Sequence, residues 1–448
     1  MNMEATLNAI PSFGRTTRWL VVATAGFGFA FDLYEMVVQA IVLKPMLVEL
    51  GPFQPGTPAF NHWAGICLFV PPVVGGLASL LGGYLADRLG RQRVLVWSIV
   101  LYGVAAFMSG LSGSLAELLV WRCIVIAGVC VEFVAALAWL TELFPETYRR
   151  ERALALAQVG ATLGNFMIAG AYLLALNLAD QLPQIQGGQS PWRYTLLFGV
   201  LPAIPLMILR PFLPESPLWQ QRRAAGTLSR PRFRELFEPR LRRVTILSTL
   251  LVGCAYALAF GMLQHIPRIV PGLHGVAELA RKSQERWVSY VHIHVDVGAI
   301  IGRLLFVFLA IYLVSRRRML QAFLVSGLVV FPFVFLGPPM NHIDSLKYAV
   351  MFASILVSAQ YSFWGNYLPR VFPLHLRGTG AVFGASVGGR VIAPLAALAT
   401  TQLSNLLPGA TPTAKLATSI AVVAVTFTVL ALFLSTRLPE PAPELPED

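Results

Sequence analysis

The stretch Gly83-Tyr-Leu-Ala-Asp87-Arg88-Leu-Gly90-Arg91-Gln-Arg93 decides how this chain is read. It is a short basic turn between two apolar runs, 63–86 before it and 94–112 after it. A helix rises 1.5 Å per residue, so crossing about 30 Å of hydrocarbon takes about 20 mostly apolar residues. Both flanks meet that length. The local pattern is two membrane helices joined by a cationic turn, and such turns are retained on the cytoplasmic side.

Working outward, the same pattern recurs. Apolar runs fall at 19–43, 63–86, 94–112, 115–140, 153–178, 193–213, 243–265, 288–314, 319–337, 346–368, 378–402 and 414–436. The reading is an all-α membrane protein of twelve transmembrane helices. The longest polar connection, 214–242, divides them into an N-terminal six-helix bundle, 19–213, and a C-terminal one, 243–436. A short N-terminal segment, 1–18, precedes them. The Pro-rich acidic tail 437–448 reads as a disordered end. Arg15 and Arg18 before the first run imitate a secretory signal, but the run continues past Asp32 and Glu35 and has no small-residue cleavage site, so it is read as span one.

Composition agrees. Of 448 residues, 56% are hydrophobic and 12% are charged, against about 25% charged in a soluble domain. The net charge of +12 could suit nucleic acid. The cations, however, lie in clusters between apolar runs rather than on one face, so a nucleic-acid partner is not expected. With the N-terminus inside, Arg88, Arg91 and Arg93, Arg149, Arg150 and Arg152, the basic loop 214–242, Arg316 to Arg318, and Arg370 and Arg377 all fall on the cytoplasmic side. Both termini are therefore placed in the cytoplasm, and the cytoplasmic membrane is the expected location. Cys67, Cys123, Cys130 and Cys254 lie in apolar runs without a C-x-x-C pair and read as small buried hydrophobes.

An internal repeat supports six plus six. Glu142-Leu-Phe-Pro145-x-x-x-Arg149 reappears as Arg370-Val-Phe-Pro373-x-x-x-Arg377, 228 residues later, and Arg316 to Arg318 echo the turn after span two. Transporter halves are built as such repeats.

The segment from Gly83 to Arg93 resembles the G-x-x-x-D-R-x-G-R-[RK] loop of the major facilitator superfamily, in the same position between spans two and three. Glu142-Leu-Phe-Pro145 to Arg149, and Pro214-Glu215-Ser216-Pro217, resemble segments of its sugar-porter and organic-acid branches. The resemblance implies two bundles around a central cavity that work by alternating access. It also implies a cytoplasmic gate drawn from Gly83, Asp87, Arg88, Gly90, Arg91, Glu142, Arg149, Glu215, Arg370 and Arg377. Asp87 can cap a helix or pair with a cation, and Arg88 and Arg91 offer forked donors to Glu142 or Glu215. The alternative is that these charges only fix topology. Arg370 stands where the first half has Glu142, so the two gates cannot be mirror images.

Charges within the spans are the informative residues, because each is expensive in hydrocarbon unless it faces a cavity or a partner. Span one carries Asp32, Glu35 and Gln39 on one helix face, span four Arg122 and Glu132, span eight His292, Asp296 and Arg303, and span eleven Arg390 beside Gly388 and Gly389. Asp296 and Arg303 share a stripe about 10 Å long. Phe31-Asp32-Leu33-Tyr34-Glu35 resembles the D-G-x-D segment of the aromatic-acid/proton symporters, with Leu33 for the glycine and Glu35 for the second aspartate. In that branch the span-one acids are tied to proton coupling. Acids in span one and cations in spans eight and eleven suit an anion held by Arg303 or Arg390 and a proton carried by Asp32, Glu35 or Glu132. Arg122, Gln39, Asp296, Tyr256, Trp364 and Tyr367 are further candidates for the substrate site. The competing reading is structural ion pairing, or ordinary packing for the aromatic residues.

Three local patterns mislead. Gly384-Ala-Ser386-Val-Gly388 matches a hydrolase elbow but lies inside an apolar helix rather than at a strand-to-helix turn. His292 and His294 are two apart on a helix and diverge, so they cannot easily share a metal. No phosphate-binding G-x-x-x-x-G-K-[ST] run suggests an ATP-driven pump. The expectation is a non-enzymatic, proton-coupled symporter of a small organic anion, monomeric, with no cofactor and the proton gradient as energy source. A sugar:proton symporter or facilitator is the nearest alternative, followed by a multidrug or metabolite antiporter and a transporter-like sensor.

Overall fold

The computed structural model describes residues 14–144, 146–201, 203–226, 233–312, 315–373 and 376–440. Helices cover almost all of them, and no strand forms among the described residues beyond a single bridge between Ile185 and Gly188. An all-helical body follows from the solvent: in lipid a backbone amide can be satisfied only within its own helix or in a closed barrel.

The spans appear where the apolar runs place them. They are Arg15–Leu50, Pro58–Leu89, Arg91–Leu111, Leu115–Leu143, Thr147–Leu178, Pro191–Phe212, Pro239–Gly261, Arg281–Tyr312, Arg316–Leu336, Ile343–Val371, the segments from Arg377 to Leu406, and Pro412–Ser435. Eleven are long and apolar enough to cross a membrane by length and composition. The twelfth, Ile343–Val371, has 29 residues but buries Ser354, Ser358 and Gln360, which lowers its hydropathy. Span six is assembled from Pro191–Phe198 and Ala203–Leu209 with Gly199 between them. Span eleven contains a π-helical stretch, Gly384–Ile392. Such stretches are rare and gather at functional sites.

The chain divides into two compact units, 1–38 with 77–171 and 183–231, and 39–76 with 172–182 and 232–448. This grouping cuts across the division at 214–242 drawn from the sequence. Within the second unit, polar side chains give a physical reason. Arg268 Nη2 donates to Asn61 Oδ1 at 2.5 Å, and Asn61 Nδ2 donates to Asn405 Oδ1 at 2.7 Å. Lys282 Nζ lies 2.9 Å from Asp180, and Arg286 Nη2 donates to Asn177 at 2.8 Å. These contacts join the ends of spans two and five to the segment after span seven and to spans eight and eleven.

The tail is also more ordered than its composition suggests. Glu440 accepts from the amides of Arg316 at 3.1 Å and Arg317 at 3.2 Å and from the Ser315 hydroxyl, capping span nine. The expectation of a disordered 437–448 is therefore corrected as far as Glu440; residues 441–448 lie outside the described ones, as do 1–13 and Pro145.

Candidate functional site

The turn between spans two and three is set by Gly90, whose φ of 103° is a conformation that side-chain-bearing residues rarely adopt. It delivers Arg91, which is buried, to two carboxylates at once. Arg91 Nη2 lies 2.6 Å from Asp87 Oδ1 and 2.8 Å from Glu142 Oε1, and Nη1 donates to the Ala86 carbonyl at 3.0 Å. Glu215 caps span three, accepting from the amides of Arg91 at 3.1 Å and Gln92 at 3.2 Å, and also accepts from Ser216 N at 2.8 Å. Trp219 Nε1 donates to the Asp87 carbonyl at 2.7 Å. Gly83 sits against Val134, so spans two and four pack closely beneath the turn. Spans two, three, four and six are thus tied together by one arginine and three acids.

The other gate residues are placed differently. Arg88 donates to the Tyr84 hydroxyl at 3.2 Å rather than to Glu142 or Glu215. The reason is helical register: a residue four positions back lies directly beneath it. Arg149 pairs with Glu146 at 3.0 Å, both exposed. Arg370 is half-buried and within electrostatic reach of Arg316. The side chain of Arg377 lies outside the described residues.

Deeper in the first unit are two closed ion pairs. Arg122 Nη1 lies 2.6 Å from Glu35 Oε2, and its other terminal nitrogen donates to the Glu35 carbonyl. Arg210 Nη2 lies 2.5 Å from Glu132 Oε1. All four residues are at most 2% exposed. Asp32, 3% exposed, lies within electrostatic reach of Arg210 and Tyr102, beside the second pair. Glycines make the room. A Cβ on Gly199 would stand 2.6 Å from Glu35 Oε1 and 2.7 Å from the Tyr34 ring; one on Gly28 would meet the Arg210 guanidinium and stand 2.8 Å from Glu132 Oε1. Tyr34 fixes span one against span six by donating to the Thr195 carbonyl at 2.6 Å.

Charged pairs buried in apolar helices, and a cationic turn braced by acids after span two, are what a solute carrier of this architecture needs. The family model described as Major Facilitator Superfamily matches residues 19–397. The chain belongs to that superfamily. It is a multi-pass membrane transporter, not an enzyme. Among its relatives, a cis,cis-muconate transport protein of Acinetobacter baylyi is 28% identical over 71% of this chain and 73% of that protein. A sialic acid transporter of Escherichia coli is 22% identical over 84% of this chain and 85% of its own length. Among solved structures, the xylose transporter XylE from E. coli in a partially occluded inward-open conformation aligns with a TM-score of 0.71 at 15% identity, covering 95% of this chain and 98% of that one. That last likeness concerns the fold alone.

In the second unit of this superfamily member, further candidates for substrate contact lie on spans one, seven, eight, ten and eleven. Arg390 is half-buried in the π-helical stretch of span eleven, where a Cβ on Gly76 of span two would stand 2.9 Å from its Cβ. The adjacent Gly389 lies against the Tyr256 ring, and Tyr256 packs on Tyr361 with centroids 4.5 Å apart. Arg303, half-buried, is within electrostatic reach of Tyr361 and Asp296. The Tyr361 hydroxyl, the Trp364 indole nitrogen and Asn366 Oδ1 are buried with no hydrogen-bond partner among the described residues. Gln39 donates to the Cys67 carbonyl at 3.0 Å. The Tyr367 hydroxyl donates to the Pro439 carbonyl at 2.7 Å.

Sequence reasoning missed Arg210, Tyr102, Tyr361 and Asn366. Arg210 lies at the end of the apolar run 193–213, flanked by Ile208-Leu209 and Phe212-Leu213, an apolar setting that signals burial. Tyr361 stands three residues before Trp364, a spacing that puts both on one helix face.

Proposed function

We propose that this transporter is a proton-coupled symporter that imports a small organic anion by alternating access. The observation that carries the reading is the charge within the spans: Asp32 beside the Glu132–Arg210 pair in the first unit, and half-buried Arg390 and Arg303 near Tyr256 and Tyr361 in the second. In this reading Arg390 and Arg303 hold the carboxylate of the substrate, with Tyr256 and Trp364 against its body. Arginine suits this because its planar fork matches a carboxylate in two parallel hydrogen bonds.

Asp32 takes the proton. Glu35 and Glu132 each face an arginine at ion-pair distance, so a proton reaching either must first displace that partner. Asp32 shares the Arg210 side of the cluster, and a change in its charge would be felt by the Glu132–Arg210 pair. Arg91, Asp87, Glu142 and Glu215 form the cytoplasmic brace. Both termini face the cytoplasm, the location is the cytoplasmic membrane, one chain is the working unit, and the proton gradient supplies the energy without a cofactor. Two of the relatives are named for organic acids, muconate and sialic acid, which supports the anion class. Another is an arabinose-proton symporter of Bacillus subtilis, which keeps the sugar reading alive.

Uptake into proteoliposomes, with and without an inward proton gradient, separates the two. The proposal predicts gradient-dependent accumulation of muconate or a related carboxylate and its loss in Arg390→Ala. Accumulation of sugars alone, or carboxylate uptake indifferent to Arg390→Ala, refutes it.

A further inference from the structure

Span eight buries an imidazole and a carboxylate that the transport reading leaves without a task. His292 and Asp296 are one helical turn apart, with side chains 8% and 4% exposed, and His292 Nε2 stands 3.9 Å from Asp296 Oδ1. Among the described residues, neither ring nitrogen of His292 has a hydrogen-bond partner, and neither has Asp296 Oδ2. Buried polar groups are normally satisfied, and a buried carboxylate without a bonded partner is strongly disfavoured.

Other charged and titratable groups flank the pair. On the same helix, Glu285 accepts from Arg281 at 3.0 Å, and Arg303, seven residues on and about 10 Å along the axis, is within electrostatic reach of Asp296. Span ten packs alongside, with Gly298 against Met351 and Gly302 against Ile355. From it, Ser354 donates to the Val295 carbonyl at 2.7 Å, Asp344 and Lys347 pair with each other at 2.5 Å, and Tyr361 stacks on Tyr256. From the segment after span seven, His265 and Arg268 are 3.2 Å apart, and Arg268 also holds Asn61. Lys44 of span one is near Glu285.

One proton resolves the arrangement. With none, the pair is a neutral ring beside a negative charge whose Oδ2 has no hydrogen-bond partner among the described residues. With one, it is either an imidazolium facing a carboxylate or a carboxylic acid able to donate to the ring, and its net charge is zero. A second proton would place a positive charge in the same buried stripe as Arg303. We propose that His292 and Asp296 together bind one proton, forming a proton site on span eight separate from the acids of span one. This assignment concerns proton binding alone and does not depend on which substrate is carried.

The test uses the full-length protein in liposomes without substrate, stepped from about pH 8 to about pH 5, a range that spans ordinary histidine titration. Proton uptake is counted with an indicator dye, and carboxyl and imidazole bands are followed by infrared difference spectroscopy. Asp296→Asn is expected to bind one proton fewer per chain and to lose the associated bands. His292→Gln is expected to shift the proton affinity of the remaining carboxyl by about tenfold, one pKa unit. If Asp296→Asn cannot be recovered folded, His292→Gln decides. A folded Asp296→Asn that binds as many protons as the wild type overturns the proposal, as do unchanged bands and affinity in His292→Gln. Asp32→Asn is expected to leave these bands in place, so failure of the span-one assignment is read separately.

Discussion

Buried carboxylates in the first unit meet arginines at close range, whereas Asp296 in the second meets a histidine at longer range. In the first, Glu35 and Glu132 each meet an arginine, at 2.6 and 2.5 Å, and glycines at 199 and 28 keep the space open. In the second, His292 Nε2 stands 3.9 Å from Asp296 Oδ1 and Arg303 acts on the same carboxylate from a distance. A closed pair resists change because removing one member strands the other in a low-dielectric place. A loose group can accept a ligand or a proton without first breaking a bond. The contrast teaches that in-membrane charge alone does not mark a transport site, because close ion pairing accounts for part of it.

The sharpest way to break this contrast is to remove one cation from the scaffold. Arg210→Ala or Arg122→Ala is expected to cost about 3–5 kcal/mol, because a carboxylate is left buried and alone. Thermal unfolding in detergent measures it, and the double variants Arg210→Ala/Glu132→Ala and Arg122→Ala/Glu35→Ala should recover part of the loss. Additive losses would show that the pairs are not coupled. Next in size, Gly28→Val is expected to destabilise by about 1–3 kcal/mol, since the new side chain occupies the place of the Arg210 guanidinium. An unchanged melting temperature would mean that the pair has room to move.

How much of this was legible follows from which physical rule each feature obeys. Hydropathy placed all the spans, because length and apolarity are what the bilayer selects. Gly90 and Arg91 were legible because a cationic turn of that shape has few sequence solutions. Asp32, Glu35, Arg122 and Glu132 were visible as charges in hydrocarbon. Their pairing was not, since Arg122 meets Glu35 across 87 positions and Glu132 meets Arg210 from the end of span six, where hydropathy cannot say which side of the membrane edge a residue takes. Arg88 was assigned to acids on charge alone, and register sent it to Tyr84. Glu440 was hidden by a Pro-rich tail. The signal was nevertheless present: Leu438-Pro439-Glu440 repeats Leu213-Pro214-Glu215, and each glutamate caps the third helix of its own half, span nine and span three. Trp139 Nε1 donates to the Pro214 carbonyl at 2.9 Å as Tyr367 does to that of Pro439.

That pair of caps offers smaller tests. Glu215→Ala and Glu440→Ala should each lose about 0.5–2 kcal/mol, the range for helix N-caps, with Glu215 the larger because it also supports Arg91 and Ser216. Equal losses would argue that the arginine turn adds nothing. Smallest of all, Tyr367→Phe should lose about 1 kcal/mol and leave uptake unchanged, whereas a substrate contact would alter the apparent affinity.

The coupling of Asp32 to transport is the claim on which the account turns. It is tested by comparing, in the same proteoliposomes, proton-driven accumulation of a labelled carboxylate that the wild-type protein carries with its exchange at equal concentrations on both sides. For Asp32→Asn the account predicts that accumulation is lost and exchange persists. Accumulation at the wild-type level in Asp32→Asn would contradict it.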